Sequence, residues 1–514
     1  MKRLNLWLLM SSTLITTSQL CFAQAQNIGP SNGCSGSSSF TTLNANEYNC
    51  SGDIHFSNLS LTSSNNSCFC PTTTSSGLTL TGNGGCLCFE YITNADTSKP
   101  AAIEVGGSNQ PLSVSGFSNF VCMYCPTTAT NKCYGAVKVS GQATFNNNTA
   151  IKFQNNCCLT SSQCGGAICC AGLTLKNTSD SVVFANNKAE QDGGAISSTA
   201  AMTISNNNSI LFANNIAKTS GNGGAINSSD SITISNNGNV IFSDNDASQG
   251  TSGKGGAISC ITSSKTLNFS GNSGLTFANN IAKEKGGAIA TDSLNLIADG
   301  PTLFTGNTVI NTTEGSGGAI AITGTNGTCT LHAQAGDIIF DANTLVKTGS
   351  SSSKKRNAID LSTSNGAVTL KSKEGYGIYF YDPISGTGTG TVTINDASHT
   401  GSVVFSGEKL SAEEAKVADN LKSSLGQAVT LSKGTLILKD GVTLQAKSIT
   451  QSDNTSTTIM DLGTTLIATD SGSSNSVLSL PNLAINIASL GGGGVPPKLV
   501  SQQVAHRIQA PNLL

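Results

Sequence analysis

Charge is scarce in this chain of 514 residues: Asp, Glu, Lys and Arg make up 11% of it and the formal net charge is −2, where a soluble domain usually carries ~25% charged residues. Such a surface offers little to nucleic acid or to an anionic membrane, both of which are held by clustered cations. After Arg3 the only arginines are Arg356 and Arg507, and the four histidines, His55, His332, His399 and His506, stand isolated. No Ser-His-Asp set can be assembled from them. Nor are there clustered carboxylates with a basic partner, or a calcium-binding repeat, of the kind that polysaccharide-cleaving chains use. The expectation is a protein that is not an enzyme, with no catalytic, cofactor-binding or metal-binding residues, no nucleic-acid partner and no small-molecule substrate. Long apolar runs are missing too, since a membrane-spanning helix needs about 20 such residues. Solubility has to come from Ser, Thr, Asn and the 56 glycines.

What is present begins with an export signal. Residues 1–25 open with Lys2 and Arg3, continue through a short apolar stretch and close with the small-x-small site Ala23-Gln24-Ala25, the pattern of a secretory signal peptide. Seventeen cysteines become sixteen when Cys21 leaves with that peptide. Fourteen of them crowd the front of the mature chain: Cys34, Cys50, Cys68, Cys70, Cys86, Cys88, Cys122, Cys125, Cys133, Cys157, Cys158, Cys164, Cys169 and Cys170. In an oxidising compartment the default reading is disulfides. Half a zinc site at Cys122–Cys125, or thiols kept for cross-links to other proteins, are the alternatives.

The middle of the chain repeats. The tetrapeptide GGAI starts at residues 165, 193, 223, 255, 286 and 317, at intervals of 28, 30, 32, 31 and 31. A second phrase, Phe-x-x-Asn, starts at Phe145, Phe153, Phe184, Phe212, Phe242, Phe269, Phe277, Phe304 and Phe340. Between copies lie alternating apolar–polar runs of three to six residues parted by Asn, Ser and Gly, which are strand and turn signals. About three short strands per ~30-residue period make one coil of a solenoid, so the predicted fold is all-β, a right-handed parallel β-helix. Stacked coils turn each repeated residue into a ladder. The phenylalanines are expected to be buried in one column, with the asparagines (Asn156, Asn187, Asn215, Asn245, Asn280) at corners, tolerating left-handed backbone and hydrogen-bonding along the stack. Gly193-Gly194-Ala195-Ile196 and Gly223-Gly224-Ala225-Ile226 pair a positive-φ turn with a small and a branched apolar residue for a narrow interior. These residues read as structural.

The spacing divides the chain into a signal peptide (1–25), a cysteine-rich irregular β region or cap (26–144), the repeat solenoid (145–345), a β continuation (346–490) and a low-complexity tail (491–514). Two interruptions are expected: an exposed polar loop at residues 349–356, and an amphipathic helix at residues 410–425, opened by a Ser411 cap and early acids. Tandem FxxN and GGAI behind an export signal and a cysteine-rich front resemble the chlamydial polymorphic membrane proteins. The match is strongest over residues 145–345, and residues 403–408 and 434–441 resemble that family's middle domain. The resemblance implies an autotransporter passenger, exported through a C-terminal outer-membrane β-barrel and displayed as an adhesin or antigen toward a host-cell receptor. After Leu490 the remaining 24 residues hold no aromatic, and a barrel needs many alternating strands with aromatic girdles. A reading-frame interruption near Gly491–Gly494 and a genuine short tail are both compatible with that pattern. The alternative functions are a disulfide-linked structural protein of the envelope, partnered by other cysteine-rich envelope proteins, and a truncated remnant that is not displayed.

Overall fold

A computed structural model describes residues 26–28, 34–35 and 43–501, apart from 62–66, 71–76, 95–98, 124–134, 159–164, 220, 312, 314, 350–352, 362–364, 453–454, 470–477 and 487–494. The signal peptide, Cys125, Cys133 and Cys164 lie outside the described residues, as does the side chain of Cys34. The chain winds into a parallel β-helix whose faces are sheets of 28, 16 and 8 strands. Each coil contributes one strand to the 16-stranded sheet, so sixteen coils stack into a rod about 70 Å long at ~4.8 Å per coil. A repeat coil is built from four strands, one more than the spacing predicts: Ile196–Ser198 and Met202–Ser205 in the largest sheet, Ser209–Ala213 in the second and the two-residue Ile216–Ala217 in the third.

Strand alternation sends one set of side chains inward, and stacking turns it into columns. In the 16-stranded sheet Phe153, Phe184, Phe212, Phe242, Phe277, Phe304 and Phe340 lie in register, all fully buried. Their rings are 4.8–5.0 Å apart and within 8° of parallel. Each buried ring contributes roughly 1.5–3 kcal/mol through the water it sheds. The column continues above the tetrapeptide array to Phe380 and Phe405, while below it Cys122 takes the next position and parts Phe153 from a separate stacked pair, Phe56 and Phe89. Phe145 and Phe269 leave it. They sit in the largest sheet, in register with Leu175 and with Ile234 and Leu296, because the same phrase is used at a second corner of the coil. The expectation of one column is therefore corrected to two.

The predicted interruptions also differ. Residues 410–425 form no α-helix: Glu414–Lys416 and Ala418–Leu421 are single 3₁₀ turns, and Lys422–Leu425 is a strand of the solenoid. The stretch predicted as an exposed loop holds Ser353–Arg356, an antiparallel strand on Thr344–Lys347. Its last residue, Arg356, is buried. In the tail, Lys498–Ser501 pairs with Thr465–Ala468, adding a further strand to the stack.

Candidate functional site: corner ladders, a buried arginine and the cysteine-rich coils

The asparagine of FxxN does not itself turn the chain. The left-handed residue is the one before it: Asn155, Asn186, Asn214, Asp244 and Asn279, with φ of 53–57°. The FxxN asparagine points inward instead and is buried. Asn187 Nδ2 donates to Asn215 Oδ1 (3.0 Å) and to the Phe153 carbonyl (3.0 Å), and Asn187 N–H donates to the same Asn215 Oδ1 (3.1 Å). Asn215 repeats this with Asn245 and Phe184, and Asn245 with Asn280 and Phe212. The ladder starts at Asn156 and continues through Asn307 and Asn343. It satisfies corner amides that the sheets leave unpaired, which buried backbone requires.

A second ladder was not anticipated. Asn207, Asn237 and Asn272 make the same bonds at the other corner, each preceded by a left-handed residue, Asn206, Asn236 or Gly271. The signal was legible as ISNN at residues 204–207 and 234–237, an FxxN with isoleucine in place of phenylalanine. Thr178 interrupts this ladder: its N–H donates to Asn207 Oδ1, while its own hydroxyl is buried without a partner.

GGAI divides its labour in the same way. Gly193 and Gly223 take φ of 66° and 67°. Gly194 and Gly224 are needed for close approach, since a Cβ on either would lie 2.0 and 2.1 Å from the carbonyl oxygen of the next coil. Ala195 N–H and Ile196 N–H both donate to the Ala225 carbonyl at 2.9 Å, and both side chains, like those of Ala225 and Ile226, are fully buried.

The first ladder ends on charge. Asn343 donates from its backbone N–H (2.9 Å) and from Nδ2 (2.7 Å) to Asp382 Oδ2. Asp382 is fully buried and pairs with Arg356 at 3.1 Å. Burial pushes the Asp382 carboxyl up to about 7, with Arg356 and the Asn343 bonds opposing. Arg356 also reaches Glu414 at 3.1 Å and Asp341 at 3.5 Å, and its backbone N–H donates to Asn420 Oδ1 at 2.6 Å. Glu414 and Asn420 are thereby drawn onto the solenoid, which explains why residues 410–425 give up a free helix. Ser411 and Glu414 do form the predicted reciprocal cap, Ser411 N–H donating to Glu414 Oε2 at 3.0 Å, yet it opens only one turn. A cavity of about 210 Å³ beside Arg356 is lined by Lys354, Lys355, Glu413 and Val417.

The cysteine-rich front is part of the same solenoid and not a separate cap. The described cysteines of these coils differ in exposure. Cys50, Cys68, Cys88, Cys122, Cys158 and Cys170 are buried, whereas Cys70, Cys86, Cys157 and Cys169 are partly exposed. Burial pushes the Cys50 and Cys170 thiols up to about 12. In no described strand pair does one cysteine lie in register with another: Cys122 faces Phe89 and Phe153, Cys157 and Cys158 face Lys188 and Ala189, and Cys169 and Cys170 face Ser197 and Ser198. The same coils carry a departure from the corner rule. Tyr91 occupies the left-handed corner after Phe89, with φ of 55°, and is 46% exposed.

These ladders have counterparts in known sequences. The family model described as the Chlamydia polymorphic membrane protein repeat matches residues 181–199, which hold one FxxN and one GGAI, and residues 266–292, which hold two FxxN and one GGAI. The chain is 40% identical over 95% of its length to "Probable outer membrane protein pmp10" of Chlamydia pneumoniae. It belongs with the chlamydial polymorphic membrane proteins. It is also 38% identical to pmp8 over 94% of its length and 35% identical to pmp7 over 81%, both named as outer membrane proteins of the same organism. No solved structure matches. The chain spans about half the length of these curated relatives, 53% of pmp10 and pmp8 and 44% of pmp7. An exported location at the outer membrane surface accords with those relatives and with the N-terminal signal. No helix among the described residues is long and apolar enough to cross a membrane, which leaves β-barrels unaddressed.

Proposed function

We propose that this chain is a surface-displayed passenger that acts as an adhesin toward host cells, a binding rod and not an enzyme, with its contact surface on the N-terminal coils. One observation carries the placement. A bulky residue at positive φ is an outlier whose strain, of order 1–3 kcal/mol, persists at functional sites, and Tyr91 accepts it at a corner where most other coils use Asn, Asp or Gly. Its ring is partly exposed, and tyrosine is among the residues that anchor interfaces. The repeat coils, by contrast, present weakly charged Ser, Thr and Asn, which concentrate little binding energy. Loops and corners held by a rigid scaffold are where binding residues gather. Tyr91→Asn separates binding from folding, because asparagine relieves the corner: beads coated with the full-length variant should bind cultured cells less than wild type while resisting urea at least as well. Equal binding would remove Tyr91 from the contact surface.

The envelope-structural reading draws support from the crowding of cysteines on the N-terminal coils, where the described ones include both buried and partly exposed side chains. Non-reducing gels of intact envelopes test it: a high-mass band that collapses with reductant is expected, and monomer without reductant counts against it.

A further inference from the structure

On the N-terminal coils the strand register assembles a cluster that sequence distance conceals. In Cys86–Glu90 the residues Leu87 and Phe89 point inward and are fully buried, so Cys86 and Cys88 share the outer face. The neighbouring strand Ile54–Ser57 runs parallel to it with His55 in register with Cys88. The imidazole and the two thiols, from residues 31 and 33 positions apart in the chain, have ligand atoms all within 4.8 Å of one another. The two sulfurs are 2.8 Å apart. Asp53 Oδ1 accepts from the Cys86 backbone N–H at 2.8 Å, fixing the start of the strand, and His55 is exposed, so the site opens to solvent on one side.

Two fates are open to a thiol pair in an oxidising compartment, and the strand geometry disfavours one. Residues i and i+2 of a strand have Cα atoms about 6.6–6.8 Å apart, at the far limit of the 4.4–6.8 Å that disulfides span, and their Cβ bonds run side by side instead of converging to the ~3.8 Å that an S–S bond wants. A tetrahedral ion with bonds of about 2.3 Å to sulfur and ~2.0–2.1 Å to nitrogen needs its donors roughly 3.5–3.8 Å apart, which small χ1 rotations of Cys86 and Cys88 supply. We propose that His55, Cys86 and Cys88 form a metal site for a thiophilic, borderline-soft cation of the Zn²⁺ type, with three protein ligands and a fourth, solvent-facing position. Two thiolates and one imidazole are the donor set that selects such an ion over Mg²⁺ or Ca²⁺, which take oxygen. Binding exchanges the two thiol protons for the divalent ion, so charge is conserved at the site. The bound ion also clamps two successive coils beside the Tyr91 corner. Neither the CxxC at Cys122 nor any histidine nearby in sequence pointed here, since the ligands meet only across coils.

Cobalt is the probe. The full-length chain, purified without chelator and kept reduced, is titrated with Co²⁺ in parallel with Cys86→Ser/Cys88→Ser and His55→Ala, and each is then challenged with Zn²⁺. Wild type should show sulfur-to-cobalt charge-transfer absorption for one equivalent more than the double serine variant, displaced by Zn²⁺. His55→Ala, at an exposed position that does not endanger folding, should weaken that equivalent by at least ~10-fold, the least that disturbing a metal shell usually costs. Identical cobalt spectra in wild type and the double variant would overturn the site. So would unchanged affinity in His55→Ala, or mass analysis of the natively isolated chain showing Cys86 and Cys88 joined to each other.

Discussion

Replacing Asn215 with alanine tests whether the corner ladder or the aromatic column holds the coils together. The substitution removes four hydrogen bonds at once: those that Asn215 Oδ1 accepts from Asn187 N–H and Nδ2, and those that Asn215 Nδ2 donates to the Phe184 carbonyl and to Asn245 Oδ1. Two of the stranded groups keep a partner, because Asn187 Nδ2 still reaches the Phe153 carbonyl and Asn245 Oδ1 still accepts from Asn215 N–H. The Asn187 amide is left without its acceptor and the Phe184 carbonyl without this donor, both buried. At ~1–3 kcal/mol for each unsatisfied group, the local cost is roughly 2–6 kcal/mol. The neighbouring Asn214, exposed and at φ of 53°, is the control: glycine accepts that conformation freely, so Asn214→Gly should change stability by less than ~0.5 kcal/mol. Native-state hydrogen exchange read by mass spectrometry on the full chain measures both. In Asn215→Ala, amides of residues 181–247 should open more readily while those of residues 428–468 keep their protection, as nearest-neighbour stability in a solenoid requires. Equal effects of Asn214→Gly and Asn215→Ala would refute the division of roles between the two asparagines.

Phe212→Ala should cost about 3–5 kcal/mol and admit protease near residue 212 while coils around residue 300 stay intact; unfolding of the rod as one unit would count against it. Thr178→Asn should mend the second ladder, giving the Asn207 carbonyl oxygen a further donor and removing an unsatisfied hydroxyl, for a gain of about 1 kcal/mol in urea unfolding of the N-terminal coils. Asp382 sets a pH dependence. Its folded carboxyl keeps a proton up to about pH 7, whereas an unfolded one loses it near ~3.9; the folded state therefore binds more protons in that window, and stability falls as pH rises through it by at most about 1.4 kcal/mol per unit. Asp382→Asn should flatten that slope between pH 5 and 7.5 in denaturant titrations, and an unchanged slope would assign it to other groups.

The period and the glycines of GGAI were legible because their constraint is local: a positive φ and a missing Cβ leave the same mark in every copy. The phenylalanine column was legible only where the asparagine accompanied it. Phe56, Phe89, Phe380 and Phe405 stack as well, but they lie outside the phrase, and register between coils of unequal length cannot be read along one chain. The second ladder was hidden by a single exchange, isoleucine for phenylalanine, which keeps the corner and alters the motif. Residues 410–425 misled for a different reason. Their cap and periodicity are those of a helix, but Arg356, buried some sixty positions away in sequence, claims Glu414 and Asn420, and Leu425 serves a sheet. The same long reach joins His55 to Cys86 and Cys88.

The asparagine ladder also has a direction. Each side-chain Nδ2 donates to the oxygen of the next coil, besides its bond back to a backbone carbonyl of the coil before, so seven Oδ1-to-Nδ2 dipoles, from Asn156 to Asn343, point the same way along the rod. Like the peptide dipoles of an α-helix, they add and leave a positive end, and chained hydrogen bonds polarise one another. That end falls at Asn343, where the carboxylate oxygen of Asp382 receives two of its N–H groups. A coil arriving at the far end of a growing stack must therefore bring an acceptor, whereas at the near end Asn156 Oδ1 is buried without a donor, which gives assembly of the rod a polarity that its uniform sides do not display.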